Sequence, residues 1–149
     1  MELLTDRIKD DMKASMKSGN KARLGVIRLI LSAIKQVEVD ERIVLDNERT
    51  ILVLDKMLKQ RRESIKLFAD ADRQDLIAIE EAEIIVIQDF LPQALTDQEV
   101  DDMVAAAVLE SGAESVKDMG KVMALLKAPM QGRADMSVVS LKIKTALAG

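Results

Sequence analysis

Cysteine and histidine are both absent from the 149 residues. Without cysteine there is no disulfide and no thiol nucleophile. Without histidine the commonest general base and the commonest zinc ligand are lost together. Aromatic side chains are nearly absent too: Phe68 and Phe90 are the only ones. Stacking of bases on aromatic rings is therefore closed as a route to reading single-stranded nucleic acid. No long apolar run exists, because Val26 to Ile34 is broken by Arg28 and is too short to cross a bilayer. The chain begins Met1-Glu2-Leu3-Leu4-Thr5-Asp6 and meets charge at once, unlike a signal peptide. The expected location is cytoplasmic, with no membrane partner.

What is present is a foldable, soluble composition, 48% hydrophobic and 32% charged. The core has to be aliphatic, built from Leu, Ile, Val, Ala and Met. Nine scattered methionines fit as core filler. Two prolines and six glycines give few chain breaks, and apolar and polar residues nowhere alternate for long. These features predict an all-α protein.

Punctuation divides the chain. Gly19 is placed to end a first helix over about 3–17, and Asn20 to cap a second over about 21–38. Asp40, Glu41 and Arg42 read as a charged linker to a third helix over about 47–69. A fourth covers about 73–90, and Leu91-Pro92-Gln93 breaks the pattern. The expected division is a helical N-terminal domain of about four helices, 1–91, and a three-helix C-terminal domain, 96–149. Thr96-Asp97-Gln98-Glu99 is a capping-box sequence whose helix ends near Gly112. Ser115-Val116-Lys117-Asp118 resembles a second box, starting a helix that stops before Pro129. Asp135 is placed to cap a last helix over 136–147.

The net charge of −4 is unevenly spread. Residues 97–114 hold six acids and no base, whereas 117–144 hold six bases and two acids. In the basic stretch, Lys117, Lys121 and Lys127 follow roughly helical spacing, and Gly132-Arg133 turns toward a helix start suited to phosphate. Gly120 falls inside the expected helix, where glycine costs about 1 kcal/mol relative to alanine. Close approach explains such a glycine, to a neighbouring helix or to an RNA backbone.

The N-terminal region offers a second basic surface. Lys21, Arg28, Lys35 and Arg42 recur every seven residues and nearly share one helix face. The row fits a phosphate track or an ordinary solvated face paired with Glu38 and Glu41. Arg61 and Arg62 lie in the cluster Lys59-Gln60-Arg61-Arg62-Glu63-Ser64, which fits RNA or partner contact as well as internal neutralisation. Glu80, Glu81 and Glu83 have the types for acid–base work or magnesium. They lack a nucleophile or a phosphate loop nearby, and a solvated helix face accounts for them. No catalytic residue, metal ligand or cofactor is assigned.

Five strings together carry a resemblance: Lys59-Gln60-Arg61-Arg62-Glu63-Ser64, Glu80-Glu81-Ala82-Glu83-Ile84, Phe90-Leu91-Pro92-Gln93, Lys117-Asp118-Met119-Gly120-Lys121-Val122-Met123 and Gly132-Arg133-Ala134-Asp135. Over nearly its whole length the chain resembles the YqeY-like family, which shares a domain with the tail of the GatB subunit of the tRNA-dependent amidotransferase. The resemblance implies an all-α protein of two parts with a boundary at Pro92. It implies tRNA as a partner, possible association with tRNA-processing or aminoacyl-tRNA-modifying enzymes, and a place in translation. Lys117, Gly120, Lys121, Lys127, Gly132 and Arg133 are the implied contacts. The amidotransferase active sites lie in other parts of that enzyme. The expected role is thus non-catalytic, with a protein-interaction module without RNA as the alternative. A carbon–nitrogen ligase label with glutamine as amido donor would follow only from family membership.

Overall fold

The computed structural model describes residues 3–148. It is all-helical, as the composition requires: α1 Leu4–Ser18, α2 Lys21–Glu41, α3 Asn47–Asp70, α4 Gln74–Gln88, α5 Asp97–Ser111, a 3₁₀ turn Val116–Asp118, α6 Met119–Met130 and α7 Met136–Ala148. No strand occurs among the described residues. The chain divides into two compact units, Met1–Leu91 and Pro92–Gly149.

The helix ends follow their local chemistry. Gly19 closes α1 at φ 74°, a left-handed position that costs glycine little. The Asn20 side chain then accepts from the Arg23 N–H and starts α2. α2 runs three residues past the expected end, so Asp40 and Glu41 are helical rather than linker. Gln36 donates to the Asp40 carboxylate at 2.9 Å, one turn on, which supports that extension. Arg42 takes the left-handed cap position instead, at φ 56°, and so leaves the face shared by Lys21, Arg28 and Lys35.

In the first unit the core is aliphatic apart from one ring. Ile8 of α1, Ile27 and Ile30 of α2, Leu54 of α3, Ile87 of α4 and Phe90 are all but sealed from solvent. Such side chains bury area without preferring a direction. Directionality comes from Arg23 in the first turn of α2. Its guanidinium donates to both oxygens of Asp11 on α1, at 3.0 and 2.8 Å. A third N–H reaches Asp89, just beyond α4, at 2.7 Å. The same cation lies 5.6 Å from the centre of the Phe90 ring, as does that of Arg7. One group thus joins three helices around the buried ring.

The second unit is built from three matched stripes. Val100, Val104 and Ala107 of α5 meet Val122, Leu126 and Met130 of α6 and Val139, Ile143 and Leu147 of α7. Each set recurs at three or four residues, the spacing that keeps side chains on one helix face. The Thr96 capping box is formed: Thr96 accepts from the Glu99 N–H, and Glu99 accepts from the Thr96 N–H, both at 3.1 Å. Lys142 of α7 pairs with Asp101 of α5 at 2.6 Å.

Three outcomes test these assignments. Arg23→Ala should lower unfolding stability in urea by about 2 kcal/mol, with Arg23→Lys restoring less than half, because one ammonium cannot replace the fork. The hydrogen bonds from Arg23 hold the Asp11 carboxyl below its ordinary value of 3.8, against the opposing effect of burial. A carboxyl lowered in the folded state stabilises fully above the ordinary range and loses that contribution as pH falls through its folded value. Wild type should therefore lose stability more steeply than Arg23→Ala below about pH 4. Separately, Thr96→Ala should cost about 1 kcal/mol by the same measurement, with helicity by circular dichroism nearly unchanged.

Candidate nucleic-acid interface

The basic segment of the second unit begins with a turn that departs from the expected box. Ser115 is extended and makes no side-chain cap. Instead the Asp118 carboxylate accepts from the Glu114 N–H at 3.0 Å, and the Asp118 N–H bonds back to the Ser115 carbonyl at 2.9 Å. Aspartate is one methylene shorter than the glutamate of a full box, and here it folds over the preceding residue. Residues 116–118 therefore form a single 3₁₀ turn, and the α-helix starts at Met119.

This shift relocates Gly120. It lies in the first turn of α6, not in a helix interior. It is exposed, and a Cβ built there would meet nothing within 4 Å. Close packing against a neighbouring helix of its unit is thus ruled out as the reason for this glycine. Lys117 and Lys121 flank it, both exposed. Lys121 Nζ stands 3.8 Å from the Asp118 carboxylate, a loose contact on a wet surface. Asp118 itself is held below the ordinary carboxyl range, first by the Glu114 N–H. The Met119 N–H bonds to the Val116 carbonyl across the 3₁₀ turn, and the helix dipole places partial positive charge at this end. Two cations and a bare glycine thus share one helix start.

The other expected contacts lie elsewhere. Lys127 is exposed, but six residues beyond Lys121, which rotates it about 240° around the helix. The two lysines flank the buried stripe from opposite sides and form no single track. Gly132 is buried, with φ 73°, in the turn after α6. Arg133 donates from Nε to the Gln93 carbonyl at 3.1 Å, while its own carbonyl accepts from the Leu95 N–H at 2.8 Å. Arg133 thus fastens the segment leading into α5. It stands at the far end of α6 from Lys117, a helix length of about 18 Å away. Its partner Gln93 is 40 residues distant in sequence, which no local pattern announces. Asp135 caps α7 as expected, accepting from the Ser137 N–H at 3.0 Å.

Pro129 also departs from expectation: it sits inside the last turn of α6, not after the helix. The missing N–H there leaves only the Leu125 carbonyl unbonded, and both residues are exposed to water. Met130, fully buried, anchors that turn in the core.

In the first unit, Arg28 and Lys35 are exposed on α2. Arg61 differs from them: half-buried, it pairs with Glu83 of α4 at 3.1 Å and donates to the Met57 carbonyl. It is spent on joining α3 to α4. Arg62 is half-buried beside it. Only Glu81 of the acidic trio is a fully exposed face residue, while Glu80 and Glu83 are half-buried. Burial, then the neighbouring Glu83, pushes the Glu80 carboxyl up. Among the described residues no cluster of carboxylates suited to a metal ion is present. No helix there is long and apolar enough to cross a membrane. Arg23 and Arg7, the cations over Phe90, escaped the sequence reading. Their partners Asp11 and Asp89 are far apart in the chain, and neither arginine falls in a basic cluster.

Relatives place the chain. It is 31% identical over 141 residues to the protein named "Altered inheritance of mitochondria protein 41, mitochondrial" of Pyrenophora tritici-repentis, covering 93% of this chain and 77% of that one. The same name and the same 31% identity apply in Lachancea thermotolerans, over 91% of this chain and 76% of the relative. An uncharacterized Schizosaccharomyces pombe protein is 31% identical over 58% of this chain and 70% of its own length. The mitochondrial naming of the first two relatives overturns the cytoplasmic expectation. That expectation rested on composition and on the first residues, and a folded helical surface carries no record of compartment. The sequence profile of the family described as Yqey-like protein matches residues 5–147. With this match spanning both helical units, the chain belongs to the YqeY-like family.

Proposed function

We propose that the protein is a non-catalytic helical module that contacts the phosphate backbone of tRNA through the start of α6. The observation that carries this reading is the open face of Gly120 between exposed Lys117 and Lys121. A phosphate can approach the backbone closely where no Cβ stands in the way, and the positive end of the helix dipole favours it there. Asp118 would repel it, but that carboxylate is already turned onto the Glu114 N–H. Lys127 adds a separate cation on the other flank of α6.

The resemblance of this segment to the tail of GatB supports tRNA over other polyanions. With Phe90 buried and no cluster of rings, recognition would rest on backbone and shape, not on base stacking. Association with enzymes that process tRNA or modify aminoacyl-tRNA fits the same reading, and no step of chemistry is assigned to the chain.

Lys117→Glu combined with Lys121→Glu should weaken total-tRNA binding by about tenfold or more at low salt. Fluorescence anisotropy checks this. Arg133 is left intact because it braces the Gln93 segment. Gly120→Ala should leave the melting temperature unchanged or raised, since its Cβ meets nothing and alanine favours helix. It should still lower tRNA affinity. Equal affinity for wild type and the double variant would remove the assignment.

A further inference from the structure

The pocket between α1 and α2 combines cations with an aliphatic wall. Its volume is 450 Å³, within the range that small organic ligands occupy. Thr5, Lys9 and Lys13 line it from α1, four residues apart and so along one helix face. Leu31, Ile34, Lys35 and Glu38 line it from α2, again at intervals of three or four. Met12 adds to the apolar wall, and so does Val44, 81% exposed in the segment before α3.

Two acids share the lining, and neither cancels the lysines. The Glu38 carboxylate accepts from the Leu45 N–H at 3.0 Å. Asp6 belongs to the first turn of α1, where the helix dipole favours an acid. Among the described residues Lys9, Lys13 and Lys35 carry no ion pair. Like charges around one cavity repel, and an anion among them relieves that repulsion.

Thr5 points to a ligand independently. It is 7% exposed, yet among the described residues its side chain makes no hydrogen bond. No sealed side-chain oxygen or nitrogen there lacks a partner, so the Thr5 hydroxyl opens to the surface at the pocket it lines. We infer that this pocket binds a single-chain anionic amphiphile. Its carboxylate or phosphate head would lie among Lys9, Lys13, Lys35 and the Thr5 hydroxyl, and its aliphatic tail along Met12, Leu31, Ile34 and Val44. A nucleic-acid strand matches the lysines but leaves the aliphatic wall without a partner. The inference concerns the first unit and stands apart from the tRNA reading at α6.

Isothermal titration calorimetry of the full chain tests it, with octanoate as the probe and octanol as its uncharged counterpart. Octanoate should bind at one site, about tenfold tighter than octanol. Affinity should rise about two- to fourfold per methylene from hexanoate to decanoate, as a buried tail requires. Lys9→Gln combined with Lys13→Gln and Lys35→Gln should cut octanoate binding by about tenfold and leave octanol binding unchanged. The melting temperature should stay near wild type, because all three lysines are exposed. Lys117→Glu with Lys121→Glu should bind octanoate as wild type does, which separates this pocket from the start of α6. Three results would overturn the inference: no saturable octanoate binding, equal affinity for octanol, or unchanged octanoate affinity in the glutamine variant. Sedimentation with phosphatidylglycerol vesicles in the absence of octanoate binding would assign the lysines to a bilayer surface, and would equally overturn it.

Discussion

The first unit depends on one guanidinium. Its aliphatic core drives collapse but leaves the helices free to slide, because leucine and isoleucine pack without directional bonds. Arg23 removes that freedom by holding Asp11 on α1 and Asp89 beyond α4 from the first turn of α2. The fork geometry of arginine suits the task, since each N–H has a fixed direction. The Phe90 ring beneath it makes the junction apolar below and ionic above. Arg61 and Glu83 repeat the device more simply between α3 and α4.

The second unit assigns its charges differently. Two of its six bases serve the fold, Lys142 on Asp101 and Arg133 on the Gln93 carbonyl. Lys117, Lys121, Lys127 and Lys144 remain exposed. A surplus of cations on one stretch thus becomes a local feature at the start of α6. The acids of α5 keep the unit as a whole from being basic. Such a surface favours a polyanion only where the cations stand, so that contact is directed rather than diffuse.

Much of this architecture was legible in local pattern. Gly19, Asn20, Thr96, Gly112 and Asp135 act through neighbours within a few residues, and the structure places each cap where its side chain demands. The stripes of α5, α6 and α7 follow from spacing alone. What local pattern missed depends on distant partners or on small competitions. Ser115 lost its cap to the Asp118 carboxylate, α2 outran its charged end, and Pro129 was tolerated because Met130 holds the turn. Arg133 and Arg61 read like Lys117 and Lys121 as basic residues, and Arg23 stood outside every basic cluster. Only their three-dimensional partners show that they brace the fold, while Lys117 and Lys121 face water.

We propose that this acidic protein uses a small cationic helix start to hold an RNA backbone. The most direct measurement is the affinity of the intact protein for total tRNA across a salt series. Phosphate contact through two or three lysines predicts a logarithmic slope of roughly −2 to −3 against salt. A flat response, or an affinity no greater than that of an unrelated acidic protein, would contradict it.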